Sequence, residues 1–348
     1  MKNNKKLKTA LIVFIVILAL VLCFNVGVYA AYALAATEVS YTKPGTSTSI
    51  SVKTALDELY TSQPLAKAVS VGDYVAYNAG SSKSYASPVG TGSSHGNGYS
   101  SQTFTSSSSL KWRVLGWDEE TGGVMLISEA PIGKFTMTGA IGHLYAEQEL
   151  NEICKIYGYG TGANISKKFN YVTGDTVEGT TVGTITGSGA KSIDVEDVNK
   201  LCGVIPSTAF SSSYGKAPYT KNMYYPTTSQ STGKSTSAVS RTDVYTFYSY
   251  TASKYLSNTT KLYEILFGTN DLKYWLASRC VNYFPSISYF DVRNVDGGNL
   301  VSTTLGNGNS SSFTDRSGSE SVRPIVYLKS TLQTNGKNSN GAWNIIDK

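Results

Sequence analysis

The chain has 348 residues and a formal net charge of +6, enough residues for one large domain or two ordinary ones. Residues 1–36 carry four lysines and no acidic residue, which leaves 26 basic and 24 acidic residues in the rest of the chain. Because the positive excess lies almost wholly in that N-terminal segment, the composition argues against a nucleic-acid-binding protein. Only 16% of the residues are charged and 25 are tyrosines. We therefore expect an adaptable contact surface of small polar and tyrosine side chains, or an ordinary secreted protein poor in lysine and glutamate.

The first 36 residues are typical of an export segment. The basic stretch "MKNNKKLK" precedes an apolar run without charge, Ala10–Val28. The small residues of "VYA" and "ALA" allow cleavage after Ala30 or Ala35, so residues 1–36 are a signal peptide or, if uncleaved, a membrane anchor through residues 10–28. The lysines lie on the N-terminal side, which predicts an extracellular or cell-surface location for the rest of the chain.

Residues 37–68 are predicted to be a stalk with a short helix. Residues 37–50 suggest an extended segment, and "SVKTALDELY" suggests a helix that Ser51 can cap. A helix of this length is not stable alone in water, so its apolar stripe must pack on the domain or on a neighbouring copy. Self-association is therefore one expectation for this segment.

A globular domain is predicted over residues 69–330. Its first part has β character: Leu110–Trp117 and Val124–Ile127 flank the polar loop "DEETGG", which indicates a hairpin. Apolar spacing and capping residues then predict helices over residues 145–158, 192–203, 242–257 and 260–268. In the second of these helices Asp194 is placed to act as the N-cap, with Asp197 three residues later.

The last third of the chain is predicted to be β again, over Tyr274–Val281, Ile287–Val295, Leu300–Leu305 and Val322–Leu328. The Asp296–Gly297 step suits a type I′ hairpin turn. Residues 331–348 form a C-terminal tail in which Ala342–Ile346 can add a terminal strand. Strands, then helices, then strands predict an α+β fold with a mainly antiparallel sheet and segregated helices, after an N-terminal apolar helix.

Three cysteines follow residue 36, namely Cys154, Cys202 and Cys280. Three thiols cannot all pair within one chain, so we expect three buried thiols in preference to one disulfide and a free thiol. No CxxC pair occurs, and this argues against a zinc site.

Five strings along residues 71–330 carry a resemblance: "VGDYVAYN", "WRVLGWD", "VMLIS", "YWLASR" and "VRPIVYLKS". Together they resemble a family of bacterial extracellular domains of undetermined function, over most of residues 50–330. The "YWLASR" and "VRP" strands are also remotely similar to the C-type-lectin-like fold, which formylglycine-generating enzymes share. The resemblance implies that fold without implying a known chemistry.

The activities that accompany that fold elsewhere lack their motifs here. Calcium-dependent lectins use Glu-Pro-Asn or Gln-Pro-Asp strings, and none occurs in this chain. Asp291 and Asp296 do not have the spacing of a calcium loop. Formylglycine-generating enzymes need a pair of C-terminal cysteines, whereas Cys280 stands alone there. We expect no metal and no cofactor.

A hydrolase is a further alternative. His143 and Glu147, four residues apart, could act as an acid–base pair. No nucleophile elbow or Cys–His arrangement accompanies them, so a structural or solvent-exposed His143 is the expected outcome, and no residue is assigned a catalytic role.

Arginines recur inside the apolar strands of the last third. Alternation in Tyr274–Val281 places Trp275 and Arg279 on one face, and Arg293 and Arg323 lie in neighbouring strands. A buried guanidinium must be paired or face a cleft. Either these arginines form internal salt bridges and stack on aromatic rings, or Trp275, Arg279, Arg293 and Arg323 line a pocket for an acidic or sugar ligand.

These features predict a secreted or membrane-anchored bacterial surface protein with a non-catalytic, adhesin-like or recognition domain. The partner would be a glycan, a host protein or a cell-wall component, and not a nucleic acid. A structural subunit of a surface assembly is the alternative, and an extracellular hydrolase is the second alternative.

Overall fold

The computed structural model describes residues 40–42, 49–51, 62–87, 102–173, 181–204, 219–226, 236–244, 250–268, 272–284 and 286–347. The chain divides into two units, Met1–Gln63 and Pro64–Lys348. In the first unit, β1 (Ser40–Thr42) pairs antiparallel with β2 (Ser49–Ser51), where the sequence predicted an extended stalk. The apolar segment 10–28 and nearly all of the predicted short helix lie outside the described residues. None of the helices in the described part of the chain is both long enough and apolar enough to cross a membrane.

The remaining elements, in chain order, are these strands: β3 (Gln63–Pro64), β4 (Tyr74–Val75), β5 (Ser84–Ala86), β6 (Thr103–Thr105), β7 (Trp112–Trp117), β8 (Val124–Ser128), β9 (Lys134–Thr138), β10 (Phe169–Thr173), β11 (Thr181–Ile185), β12 (Ala190–Ser192), β13 (Tyr219–Pro226), β14 (Thr236–Val244), β15 (Tyr250–Thr251), β16 (Lys273–Phe284), β17 (Ile287–Asp296), β18 (Asn299–Asn309), β19 (Phe313–Asp315), β20 (Ser317–Ser321), β21 (Pro324–Tyr327) and β22 (Gln333–Thr334). The helices are α1 (Leu65–Ala68), α2 (Gly139–Lys155), α3 (Val195–Leu201) and α4 (Lys261–Phe267), with a 3₁₀ turn at Ala252–Lys254.

Two sheets organise the second unit. A five-stranded antiparallel sheet has the order β12-β21-β8-β7-β4, so strands from both ends of the domain lie side by side. A seven-stranded sheet has the order β15-β18-β17-β16-β20-β9, with β19 paired to β18. Its pairs are antiparallel except β16 with β20. The predicted α+β class with a mainly antiparallel sheet, and the predicted β7–β8 hairpin, are confirmed.

Strand β16 separates two apolar cores. Trp275 and Ala277 pack in the core that α2 covers, whereas Tyr274 and Leu276 pack in the second core with α3 and α4. The alternation of side chains that the sequence predicted is therefore present, and both faces are buried. Burial on both faces explains why four consecutive residues, Tyr274–Ala277, are apolar.

The helices follow the sequence prediction in part. Helix α3 has the predicted cap: Asp194 accepts from the Asp197 amide, and Asp197 accepts from the Asp194 amide. Helix α4 begins after the capping residue Thr260. Helix α2 begins at Gly139, six residues earlier than predicted, because tertiary packing buries residues of its first turns such as Ala140 and Leu144.

The helix predicted over residues 242–257 is wrong. Strand β14 runs to Val244, and β15 with the 3₁₀ turn occupies Tyr250–Lys254. Eight of the ten residues 242–251 are β-branched or aromatic, and this composition favours a strand.

The turn between β17 and β18 lies one residue later than predicted. Asp296 pairs with Asn299 across the ladder, so Gly297 and Gly298 are the two central residues. Their φ angles are 53° and 87°. Positive φ at both positions is the requirement of a type I′ turn, and glycine meets it without strain.

The C-terminal tail is part of the folded unit. The indole of Trp343 donates to the Asp73 carboxylate at 2.9 Å, and the Trp343 carbonyl accepts from the Ala76 amide at 2.8 Å. In the predicted terminal strand, Trp343 and Ile346 form isolated β-bridges. The domain therefore extends past residue 330, because the tail supplies apolar and hydrogen-bonding partners to the start of the domain.

Candidate functional site

Arg323 is the most deeply buried of the three arginines predicted to bind a ligand, with 1% of its surface exposed. Its guanidinium donates to the Ser128 carbonyl at 2.6 Å and 3.2 Å, and to the Ile265 carbonyl at 2.7 Å. It also lies over the Tyr274 ring, 5.0 Å from the centroid. The Tyr274 hydroxyl donates to the Leu266 carbonyl at 2.8 Å.

Arg323 and Tyr274 thus donate hydrogen bonds to carbonyls in the last turn of α4. These carbonyls have no amide donor from a following helical turn. The partial negative charge of that helix end also favours a cation. Burial lowers the pKa of the Arg323 guanidinium from its ordinary value. Arg323 joins α4 to the end of β8, and its partners are inside the protein.

Arg279 joins β16 to α2. Its guanidinium donates to the Leu144 carbonyl at 3.0 Å, and its Nε lies 3.5 Å from Glu147 Oε1. The Arg279 amide donates to the same carboxylate at 3.3 Å. The Arg279 and Glu147 side chains are 11% and 14% exposed, so this ion pair is screened less by solvent than a surface pair.

Trp275 and Arg293 do not line a common pocket. The Trp275 indole is buried and donates to the Phe135 carbonyl at 2.8 Å. Arg279 pairs with Val292 across the ladder, and Cys280 pairs with Asp291. Directly opposed residues share a face, so buried Arg293, two residues from Asp291, lies on the face opposite to Arg279.

The structure therefore does not bring the four predicted residues to one surface. Trp275 and Arg279 face the core under α2. Arg293 lies on the other face of the sheet, and Arg323 stacks on Tyr274, which packs in the second core. Ligand binding by any one of them stays a prediction.

His143 and Glu147 lie on α2, where they are engaged with the sheet. The His143 ring is buried, and its Nδ1 lies 3.0 Å from the Asp291 carbonyl oxygen. The ring also packs edge-on against Phe290, with the centroids 5.4 Å apart. Since Glu147 pairs with Arg279, both side chains have partners that hold α2 on the sheet.

The three cysteines of the described domain are free and buried, as predicted. Burial raises the pKa of the Cys280 thiol to about 11 and that of Cys202 to about 12. A thiol with a raised pKa holds little thiolate at neutral pH, so these side chains are poor nucleophiles.

A polar surface that sequence reasoning missed lies on β9 and β20. These strands pair antiparallel, and their outward side chains form what we call the hydroxyl face: Lys134, Thr136, Thr138, Ser317, Ser319 and Ser321. Thr136 donates to the Ser319 hydroxyl at 2.8 Å, and the hydroxyls of Thr138 and Ser317 are 2.7 Å apart. Five of the six side chains bear hydroxyls, and none bears a carboxylate.

The inward side of the same strands holds the hydroxyl face in place. Phe135 and Met137 are fully buried. A Cβ on Gly318 would approach the Trp275 ring to 2.8 Å and the Thr303 methyl to 2.6 Å, so β20 lies directly against the core. The alternation of polar and apolar residues in "KFTMT" is the sequence signal for β9. Five residues of alternation are a weak signal on their own.

The hydroxyl face is suited to hydrogen bonding and lacks acid–base chemistry. Each hydroxyl both donates and accepts, and it can rotate to suit a partner. The charged member of the hydroxyl face is Lys134, whose charge also acts on the carboxylate of Glu320 in β20. Among the described residues no group of three histidine, cysteine or acidic side chains could hold a metal ion.

No protein-family model, curated protein or solved structure matches this chain.

Proposed function

We propose that the chain is a secreted or membrane-anchored bacterial surface protein whose α+β domain binds a polar partner without catalysis. The hydroxyl face of β9 and β20 is the observation that carries this proposal. The basic and apolar export segment and the scarcity of charged residues support it. The C-type-lectin-like fold and the motif resemblance belong to the same proposal, and the antiparallel α+β architecture supports them.

A glycan of the cell wall or of a host surface suits this face best. Serine and threonine side chains lose little conformational entropy on binding, because they are short and β9 and β20 are held by the core. Sugar hydroxyls are donors and acceptors, as are Thr136, Thr138, Ser317 and Ser319. The cation at one end of the face, Lys134, would favour an acidic sugar over a neutral one.

The test compares the full chain with two double variants. T136V/S319A removes a hydroxyl pair from the hydroxyl face, and S84A/T105V removes a hydroxyl pair from β5–β6, where Thr105 donates to Ser84 at 3.5 Å. Binding to glycan, host-protein and cell-wall preparations is measured by biolayer interferometry. Two lost hydrogen bonds, at about 0.5–1.5 kcal/mol each, should weaken binding roughly 10-fold for T136V/S319A.

The S84A/T105V control should bind like the unmodified chain. Binding to none of these preparations would contradict the proposed function. Equal weakening in both double variants would place the binding surface elsewhere.

The structural-subunit alternative depends on residues 51–60, which lie almost wholly outside the described residues. It stays a prediction that deletion of residues 1–62 abolishes self-association. Polymers formed by a 63–348 fragment would contradict that alternative.

A further inference from the structure

A carboxyl group lies between helix α2 and the β5–β6 hairpin. Glu149, on α2, is 1% exposed. The Tyr85 hydroxyl, on β5, donates to Glu149 Oε2 at 2.8 Å, and the Ser87 hydroxyl is also hydrogen-bonded to this carboxyl. Both hydrogen-bond partners from the hairpin side are therefore neutral.

Other side-chain contacts also hold the hairpin to the rest of the domain. The Tyr157 hydroxyl donates to the Thr105 carbonyl at 3.2 Å. Buried Phe104 packs against Phe135, with ring centroids 6.2 Å apart. A two-stranded hairpin is marginally stable at best in water. The order of β5 and β6 therefore depends on these contacts and on the Tyr85–Glu149 bond.

Within the described residues, the charge that acts on Glu149 is negative. On its own helix, Glu152 is nearby and pairs with Lys155 at 3.2 Å. From β10, Tyr171 faces the same region. Within the described part of the chain, no lysine, arginine or histidine forms an ion pair with Glu149. Ionisation of Glu149 with the hairpin docked would therefore bury an unpaired negative charge beside a second carboxylate, and such burial is unfavourable.

The pKa of Glu149 is raised, as its burial without a positive partner leads us to expect. Burial raises the pKa of Glu149 from its ordinary 4.5 to about 7, and the charge of Glu152 adds to the rise. The hydrogen bonds from Tyr85 and Ser87 oppose it and are the smaller effect. Undocking the hairpin would expose the carboxyl to water and return its pKa toward the ordinary value.

We propose that Glu149 makes docking of the β5–β6 hairpin pH-dependent, so that the hairpin packs on α2 when Glu149 is protonated and is released when Glu149 ionises. The device is independent of the proposed function. Proton linkage sets the magnitude of this pH dependence. With a pKa of Glu149 of about 7 when the hairpin is docked and 4.5 when it is undocked, the equilibrium constant for opening the hairpin should rise on the order of 50- to 100-fold from pH 5 to pH 8.

Amide hydrogen exchange of the full chain tests this proposal. The Ser87 and Ser106 amides bond within the hairpin, to the Gln102 and Lys83 carbonyls. Their opening constants, corrected for intrinsic exchange at each pH, should increase from pH 5 to pH 8. The Val114 amide, bonded to the Asp73 carbonyl in the five-stranded sheet, reports opening elsewhere in the domain and should change much less.

Two variants identify Glu149 as the group that titrates. E149Q keeps the shape without the charge, and it should abolish the pH dependence at Ser87 and Ser106. Y85F removes a hydrogen bond that stabilises the carboxylate, so the midpoint of the pH dependence should move to higher pH. A hairpin whose opening constants do not change with pH, or a pH dependence that survives in E149Q, would overturn the proposal. A midpoint that falls or stays unchanged in Y85F would also overturn it.

Discussion

Substitution of Arg323 by lysine should destabilise the domain strongly although it keeps the charge. The guanidinium makes three hydrogen bonds of 3.2 Å or less, to the carbonyls of Ser128 and Ile265. A single ammonium cannot serve both carbonyls in the positions that the planar fork occupies. Hydrogen bonds to charged groups contribute about 1.5–3 kcal/mol each, so the loss of two amounts to about 3–6 kcal/mol. Since relaxation recovers part of that loss, we expect the free energy of unfolding to fall by about 3 kcal/mol.

Urea denaturation, followed by circular dichroism and tryptophan fluorescence, measures this change at constant pH. R316K is the matched control, because Arg316 is exposed and a surface substitution should change stability by at most about 0.5 kcal/mol. If R323K and R316K unfold within about 1 kcal/mol of each other, the fork geometry of Arg323 does not stabilise the junction of β8 and α4, and the reasoning fails.

Two further predictions concern stability. The pKa of Glu149 is raised from 4.5 to about 7 in the folded protein, so its protonated form contributes stability that is complete below pH 4.5 and is lost as the pH rises through 7. The free energy of unfolding lost over this pH range is about 3 kcal/mol. E149Q should remove this pH-dependent loss. Identical pH profiles of Tm for E149Q and the unmodified chain would contradict the assignment. G158A should destabilise by about 2 kcal/mol or more, because a Cβ there would meet the Ala190 amide at 2.4 Å and the Ser188 hydroxyl at 2.2 Å. In G116A the Cβ meets only flexible side-chain ends, at 3.3 Å or more, so chemical denaturation should show a loss below about 1 kcal/mol. Similar losses in both glycine variants would refute the packing argument.

Local signals predicted the elements that depend on neighbouring residues. Helix α3 is encoded by the reciprocal cap of Asp194 and Asp197, which needs only three residues of separation. Strands β16, β17 and β18 follow from their β-branched and aromatic residues, although the observed strands are longer than predicted. The burial of the three thiols was also predicted, because three cysteines cannot all pair within one chain.

Elements that depend on distant partners were missed. The first turns of α2 contain Gly139 and Gly142, which disfavour a helix locally, yet buried Leu144 and His143 hold this segment against the sheet. Strands β9 and β20 are too short to be recognised by alternation. They form because Phe135, Met137 and Gly318 pack in the core.

The same distinction between local signals and distant partners applies to the residues of the candidate site. The sequence indicated that Arg279, Arg293 and Arg323 need partners, because a buried guanidinium cannot lose its charge. It could not indicate whether those partners are a ligand or the protein. The structure places the guanidinium of Arg323 on the carbonyls of β8 and α4, and that of Arg279 on α2.

By itself, the sequence determined the α+β class, the late strands and the chemical need of each arginine for a partner, whereas the export role of the N-terminus stays a prediction. Those properties follow from composition and from spacing over a few residues. Only the tertiary structure decided which face each arginine occupies, that Ser and Thr hydroxyls of β9 and β20 form one surface, and that Glu149 is buried beside the β5–β6 hairpin. These depend on register and on contacts between residues far apart in the chain, such as the 64 positions that separate Tyr85 from Glu149, and no local pattern encodes them.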